Sequence, residues 1–303
     1  MSSVKRICTM YEARLGRNDG PPLYWTHAMK TLGHEVVHLS SENEPTEDEY
    51  GKFDLYVWID WGEDSLTNSL PYKPINMSNL HPSMYVCSDA HIGFDYRLNK
   101  AKEFDYVFCN QLRAVNEFEE HGIKAYFLPH AVEPMAYPNQ PLAMKKYDIG
   151  FVGFATFRKR AEMLDKIFSA FPNFFFGQRL FEEAAEIFRK SRIVFNTAAV
   201  DDLNMRLFEA TATGSFLLTE WCDTMPHVFE DGKHLVTYRT MDEAIEIARY
   251  YLSHPEEREK IAKAGMEHTI GNHTYQHRIK HAFSVIEDLK EMKCRQTEVG
   301  QLG

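Results

Sequence analysis

Residues 193–220 read IVFNTAAVDDLNMRLFEATATGSFLLTE, and the reading of this stretch decides the fold. Ile193 to Asn196 and Ser215 to Thr219 are apolar runs of strand length. Between them Asp201 and Asp202 are placed to open a helix, where carboxylates meet the positive end of the helix dipole. The helix is expected over about Leu203 to Thr213, with Gly214 supplying the left-handed residue that ends it. Strand, helix and strand with apolar strands point to a parallel sheet covered by helices. Arg206, near the helix start, is placed to meet an anion that the first-turn N–H groups also face. Glu209, one turn on, is placed to accept two hydrogen bonds from a sugar diol. The same spacing of three also fits an ion pair along the helix, and the two residues by themselves leave both readings open.

The pattern extends in both directions. Val4 to Thr9, Glu35 to Leu39, Asp54 to Asp60, Ser83 to Ser88, Tyr106 to Asn110 and Lys124 to Leu128 read as strands, with helices expected over Pro22 to Leu32 and Leu112 to Glu120. The loop from Tyr11 to Pro22 carries Glu12, Arg14, Arg17 and Asp19, and Trp61 to Asp64 forms an acidic lip after the third strand. No GxGxxG follows the first strand, so a dinucleotide site has little support. Residues 134–146 lack periodicity and hold three prolines, as a linker does. Beyond it DIGFVG (148–153) starts a second α/β series, with helices expected over Phe157 to Phe168 and Phe181 to Lys190 and a strand at Asn173 to Phe176. Asp242 to Leu252 and Pro255 to Gly265 are amphipathic, and His273 to Lys290 is a long last helix with Tyr275, Ile279, Ala282, Phe283, Ile286 and Leu289 on one face.

Composition bounds the function classes. The 303 residues are 44% hydrophobic and 26% charged, ordinary for a globular chain of two domains. A net charge of −10 argues against an electrostatic grip on nucleic acid or an anionic membrane. The five cysteines form no CxxC pair, which speaks against zinc and against a disulfide framework; Cys8, Cys87 and Cys109 read as buried thiols in or beside strands. With no signal peptide and no apolar stretch of membrane-spanning length, the expected location is the cytoplasm.

LNMR followed by FEATATG and an apolar strand resembles the donor-binding signature of GT-B glycosyltransferases, and most closely the CgeB/YkvP-like group. FEDGKHLVTY and MDEAIEIARYYLSHPEEREKIAKAGMEHTIGNHTYQHR continue the resemblance, which covers about residues 148–286 and extends to the first half in outline. The resemblance implies an α/β fold of two Rossmann-like domains facing each other across a cleft. The divisions expected are an acceptor domain at 1–133, a linker at 134–146, a nucleotide-sugar donor domain at 147–272, and a crossover helix and tail at 273–303. It also implies that Glu209 binds the nucleotide ribose, and that Asn204 and Arg206 of the N-x-R element belong to the donor site. In the broad retaining branch a second Glu stands eight positions before the first; here that position is Asp201. An acid the family often carries after the FEDG turn is replaced by His234.

Glycosyl transfer leaves charge on a departing nucleoside diphosphate, so the site needs fixed cations or N–H groups there. After DIGFVG, Gly153 allows close approach, and the following helix start, with Arg158, Lys159 and Arg160, offers charge. The family pattern places an Arg four residues before a Leu, which Arg160 satisfies through Leu164. A solvated basic helix start is the plainer reading, although cations at that end oppose the dipole. Gln178, beside Gly177, is a candidate for the base pocket, and equally a simple turn. On the acceptor side Asp89 and His91 follow a strand end, where ligands of open α/β sheets collect; Asp60 and His130 hold similar positions. His273, His277 and His281 are spaced as one helix face and read as a docking face rather than a metal site. The expected activity is that of a metal-independent hexosyltransferase without a cofactor. It would use a UDP- or GDP-sugar and an unidentified acceptor, a glycan, lipid-linked sugar or protein, in glycan or surface-polysaccharide synthesis, with a lean to retention. The alternatives are a non-catalytic sugar-nucleotide-binding protein and a sugar-nucleotide epimerase.

Overall fold

The computed structural model describes residues 5–10, 20–39, 52–60, 77–138, 140, 144–198, 200 and 202–300. The chain divides into two compact units, residues 1–129 with 275–303 and residues 130–274. The loop carrying Glu12, Arg14, Arg17 and Asp19, the acidic lip at 61–64, and Asp201 lie outside the described residues.

The first unit contains β1 (Arg6–Met10), α1 (Pro21–Thr31), β2 (Glu35–Leu39), β3 (Leu55–Ile59), β4 (Ser83–Cys87), α2 (Phe94–Ala101), β5 (Tyr106–Cys109), α3 (Leu112–Glu120) and β6 (Ala125–Phe127). Among the described residues its strands form one sheet in the order β2-β1-β3-β4-β5-β6, and every pairing is parallel. All positions of β3, β4 and β5 are buried, as expected of a sheet covered on both faces. Cys8, Cys87 and Cys109 are buried thiols, as the sequence implied. The last helix, α9 (Tyr275–Gly300), belongs to this unit although it follows the other in the chain. Its expected stripe is buried at Tyr275, Ile279, Ala282, Phe283 and Ile286. The Tyr275 ring lies 5.5 Å from Tyr24 and 6.3 Å from Trp25 of α1, and Phe283 lies edge-on to His34.

The sequence reading missed α2. Its inward positions are Arg97, Leu98, Lys100 and Ala101, so cations occupy places where apolar periodicity is sought. The histidine face also needs correction. The preceding helix, α8 (Pro255–Asn272), ends three residues before α9 starts at Tyr275, so His273 lies in the turn between helices and in the other unit from His277 and His281. Its Nε2 is 2.9 Å from Nε2 of His268. Among the described residues no group of three or more potential ligands is placed to hold a metal ion.

The second unit contains β7 (Tyr147–Val152), α4 (Arg158–Ala170), β8 (Phe174–Gly177), α5 (Phe181–Lys190), β9 (Ser191–Asn196), α6 (Met205–Ala212), β10 (Leu217–Glu220), β11 (Val236–Tyr238), α7 (Met241–Ser253) and α8 (Pro255–Asn272). Its described strands are parallel in the order β11-β10-β9-β7-β8. Gly214, at φ +74°, closes α6 as expected, with Ser215 N–H donating to Ala210 O. The helix start differs from expectation: Asn204 is the N-cap, and Asp202 turns its Oδ1 onto its neighbour's N–H, 2.7 Å from Leu203 N. No helix among the described residues is long and apolar enough to cross a membrane.

Candidate functional site

In the second unit the chain lays β8 on one side of β7 and β9 on the other. The strand order therefore reverses between β7 and β9, and the crevice at their carboxyl ends is where a sheet of this kind binds ligands. Arg206 of α6 reaches into that position. Its Nε donates to Val152 O at the end of β7 (2.6 Å), and its Nη1 donates to Asn196 Oδ1 at the end of β9 (2.6 Å). The guanidinium lies over the Phe151 ring, 4.4 Å from its centroid. Gly153 has φ +148°, and a Cβ built there would run into Arg206 Nη2. The glycine expected to admit a phosphate thus also admits a guanidinium.

A second cation stands beside the first. Arg160 of α4 donates from Nη1 to Phe154 O at 3.1 Å, and its buried Nε has no hydrogen-bond partner among the described residues. Burial lowers its pKa. The Arg206 pKa falls to about 10, through burial first and the Arg160 charge second, with Glu209 and Tyr137 acting in the opposite sense. Among the described residues neither arginine has a carboxylate within ion-pair distance. Two crowded guanidinium groups without such a partner favour an anion between them.

The surrounding helix ends carry the same sign. α4 has Phe157 as its N-cap, with no side-chain cap and no acidic residue in its first turn, so its first N–H groups add to the positive potential. α7 shows the contrast, with Thr240 and Glu243 in a capping box and Asp242 beside them. At α6, the Asn204 amide donates to Asn196 Oδ1 at 3.2 Å, while its own Oδ1 is buried without a partner among the described residues. Beside the arginines a cleft of about 370 Å³ is lined by Gly153, Phe154, Thr156, Phe176, Gly177 and Gln178. Phe154 is 48% and Phe176 46% exposed, leaving ring faces available for stacking against a planar group.

The structure thus brings together Gly153, Arg160, Asn204 and Arg206, with Gln178 in the adjoining cleft and half-buried Glu209 on α6 near Arg206. It does not bring Arg158 with them. That side chain is 93% exposed and pairs with Glu162 one turn on, 2.8 Å away, which is the plainer reading of a basic helix start. Lys159 is 2.6 Å from Glu220 at the end of β10. Sequence reasoning passed over Asn196 and Glu220. Asn196 is buried and links four elements: it accepts from Arg206 and Asn204, its Nδ2 donates to Thr219 Oγ1 at 2.9 Å, and its carbonyl accepts from Tyr238 Oη at 2.9 Å. A polar residue closing an apolar strand just before a loop was the available signal for both.

The acceptor-side candidates sit in the first unit. Asp89 follows β4 with φ +50°, a conformation a residue with a Cβ seldom adopts. His91 is exposed, and its N–H donates to Gln111 Oε1 at 3.1 Å. Asp60, at the end of β3, is fully buried; its Oδ2 lies 3.0 Å from Arg97 Nε and accepts from Tyr85 Oη at 2.6 Å. Arg97 Nε also lies 3.2 Å from Ser88 O, and Nη1 donates to Ile92 O. The guanidinium therefore holds both ends of the Ser88–Ile92 turn that carries Asp89 and His91, and Asp60 has a structural role.

Residues 154–284 match the family model described as "Glycosyl transferase-like". No curated protein sequence matches the chain. Among solved structures the chain is similar to T4 phage BGT, solved in complex with its UDP-glucose substrate: 11% identity, 93% of this chain and 98% of that one covered, TM-score 0.65. It is also similar to Anabaena HepE in complex with UDP and glucose: 12% identity, 95% and 100% covered, TM-score 0.66. A third is sucrose-phosphate synthase from Thermosynechococcus elongatus: 11% identity, 96% and 100% covered, TM-score 0.58. The fold of the chain is GT-B, as its resemblance implied.

Proposed function

From the premise of a GT-B chain whose residues 154–284 are glycosyl transferase-like, we propose that the protein is a glycosyltransferase. It takes a hexose from a nucleoside-diphosphate sugar, bound on the second unit, and passes it to a hydroxyl acceptor. The observation that carries this reading is the pair Arg160 and Arg206 beside Gly153 at the β7/β9 strand-order reversal, two crowded cations with lowered pKa and no carboxylate ion partner among the described residues. UDP is the nucleotide to try first, because it appears with two of the similar structures.

In this reading the bond from the anomeric carbon to the phosphate oxygen breaks, and the diphosphate leaves with added negative charge. Arg160, Arg206 and the uncapped start of α4 stabilise that charge more as it grows than they do in the bound donor, which is what accelerates the step. Phe154 and Phe176 stack on the base, Gln178 offers its amide to the base edge, and Glu209 accepts from the ribose hydroxyls. Asp89 and His91 orient the acceptor. Under retention, the departing phosphate oxygen takes the acceptor proton.

The experiment is a screen of UDP- and GDP-sugars for slow hydrolysis and transfer, with product anomer read by NMR. It is run on the wild type and on Glu209→Ala and Arg160→Ala. The reading expects each substitution to reduce turnover by about 10²–10³-fold while the circular dichroism spectrum stays unchanged. Undiminished turnover in both variants defeats it. Conversion of the donor without any acceptor would point to epimerisation instead.

A further inference from the structure

A cavity of about 580 Å³ lies at the other edge of the second unit's sheet, at the amino ends of the strands. Lys145 precedes β7, Arg192 is the second residue of β9, and Phe216 immediately precedes β10; all three line it. Ligands of this fold collect at the carboxyl ends, so the donor site does not account for this space. Its volume falls within the range of about 300–1,000 Å³ that ligand pockets span.

The lining has a definite chemistry. Lys145, Arg192, Arg258 and Lys263 line it together with Glu259, in a chain whose net charge is −10. Part of this charge is anchored. Lys145 Nζ donates to Arg189 O and Ser191 O, both at 3.0 Å, and Arg258 Nη1 donates to Tyr251 O at 2.8 Å. Arg192 Nη1 lies 2.6 Å from Asp148 Oδ1, and Lys263 Nζ lies 3.9 Å from Glu267. Arg258 Nη2 also lies 3.8 Å from Glu259 Oε1. Against Asp148, Glu259 and Glu267 the four cations leave an excess of one positive charge. Burial and the charges of Arg258 and Arg192 lower the Lys145 pKa to about 8, against the weaker pull of Glu259. Arg258, itself nearly fully buried, sits near the start of α8, the helix end that disfavours a cation. Apolar groups complete the wall: Phe216, Ala262 and Met266.

We propose that this cavity is a second ligand site, separate from the donor site, that takes a phosphate monoester carried on a compact apolar body. The phosphate would lie among Lys145, Arg192, Arg258 and Lys263, and the body against Phe216, Ala262 and Met266. The phosphate's negative charge meets the positive charge left over, and its oxygens offer acceptors to all four cations. The site does not depend on the nature of the transferred group.

Phenyl phosphate is the probe, titrated by calorimetry into the full chain, with inorganic phosphate and phenol as separate arms. The expected result is saturable binding of phenyl phosphate, binding of inorganic phosphate weaker by about tenfold, in line with a lost apolar contact, and no binding of phenol. Lys263→Glu and Arg192→Gln, at partly exposed positions, should each weaken phenyl phosphate by about fivefold or more. Arg206→Met, in the donor site, should leave it unchanged; thermal midpoints and circular dichroism establish that each variant is folded. No saturable binding by the wild type overturns the proposal. So does equal affinity in Lys263→Glu and Arg192→Gln, or a loss in Arg206→Met that matches theirs.

Discussion

Arg97 and Arg206 stand near the carboxyl edges of two parallel sheets of the same type, one in each unit. Both guanidinium groups hold backbone carbonyls at strand ends or turns. They differ in what balances their charge. Arg97 is fully buried against Asp60, and although burial opposes its charge, Asp60 and the groups behind it outweigh that and raise its pKa. Arg206 is held by a carbonyl and a side-chain amide, with Arg160 as a neighbour, and its pKa falls to about 10. A balanced buried cation holds a fold together, while an unbalanced one is set for an anion that arrives later.

The largest expected effect tests the balanced side. Arg97→Met leaves Asp60 buried without its cation and should cost about 3–5 kcal/mol of stability, read from the urea midpoint. UDP affinity of the folded fraction should stay at the wild-type value; a mild loss of stability would mean that Arg97 is less closely compensated than its geometry implies. Gly153→Ala sharpens the other side. The new Cβ must displace Arg206 Nη2 at a φ unsuited to alanine, so a loss of about 1–3 kcal/mol is expected, together with weaker UDP binding. Unaltered binding would show that Arg206 need not lie against β7.

Lys145 extends the comparison to a third cation, this one half-buried. Its folded pKa is lowered to about 8 from 10.5, so the native state binds the proton less tightly than the unfolded chain does. Stability therefore rises as pH climbs through the window between those values, where the unfolded chain holds the additional proton. Lys145→Met removes this gain. The difference in urea midpoint between wild type and variant should shift in favour of the wild type from pH 7.5 to pH 9.5, and a constant difference would contradict the shift. The smallest effect belongs to Arg158→Ala. The exposed pair with Glu162 is worth about 0–1 kcal/mol, and turnover should stay within about twofold of wild type, as for other surface changes.

Much of the fold was legible because its strands are short, apolar and punctuated. α5 (Phe181–Lys190) was read to its exact ends, and the β9–α6–β10 series to within two residues at each boundary. α2 was not legible, since its inward face is built from Arg97 and Lys100, the latter lying 3.6 Å from the Trp58 ring centroid. The site was legible in its residue types rather than in its partners. Sequence placed Arg206 on a helix start facing an anion, but not against Val152, 54 positions away. It placed Arg158 and Arg160 together, yet they lie two apart on a helix and so point to different faces. Asn196 carried no motif, and its role emerges only when β9, β10, β11 and α6 meet around it.

Calorimetric titration of UDP into the wild type and Arg206→Met tests the central claim most directly. The account predicts that the wild type binds UDP and that Arg206→Met binds it at least about 100-fold more weakly, as expected for loss of a charge-assisted contact to a diphosphate. Stability should fall by only about 1–2 kcal/mol for the two acceptors left without their donor. Equal UDP affinity in the two proteins would contradict the assignment of Arg206 to the donor site.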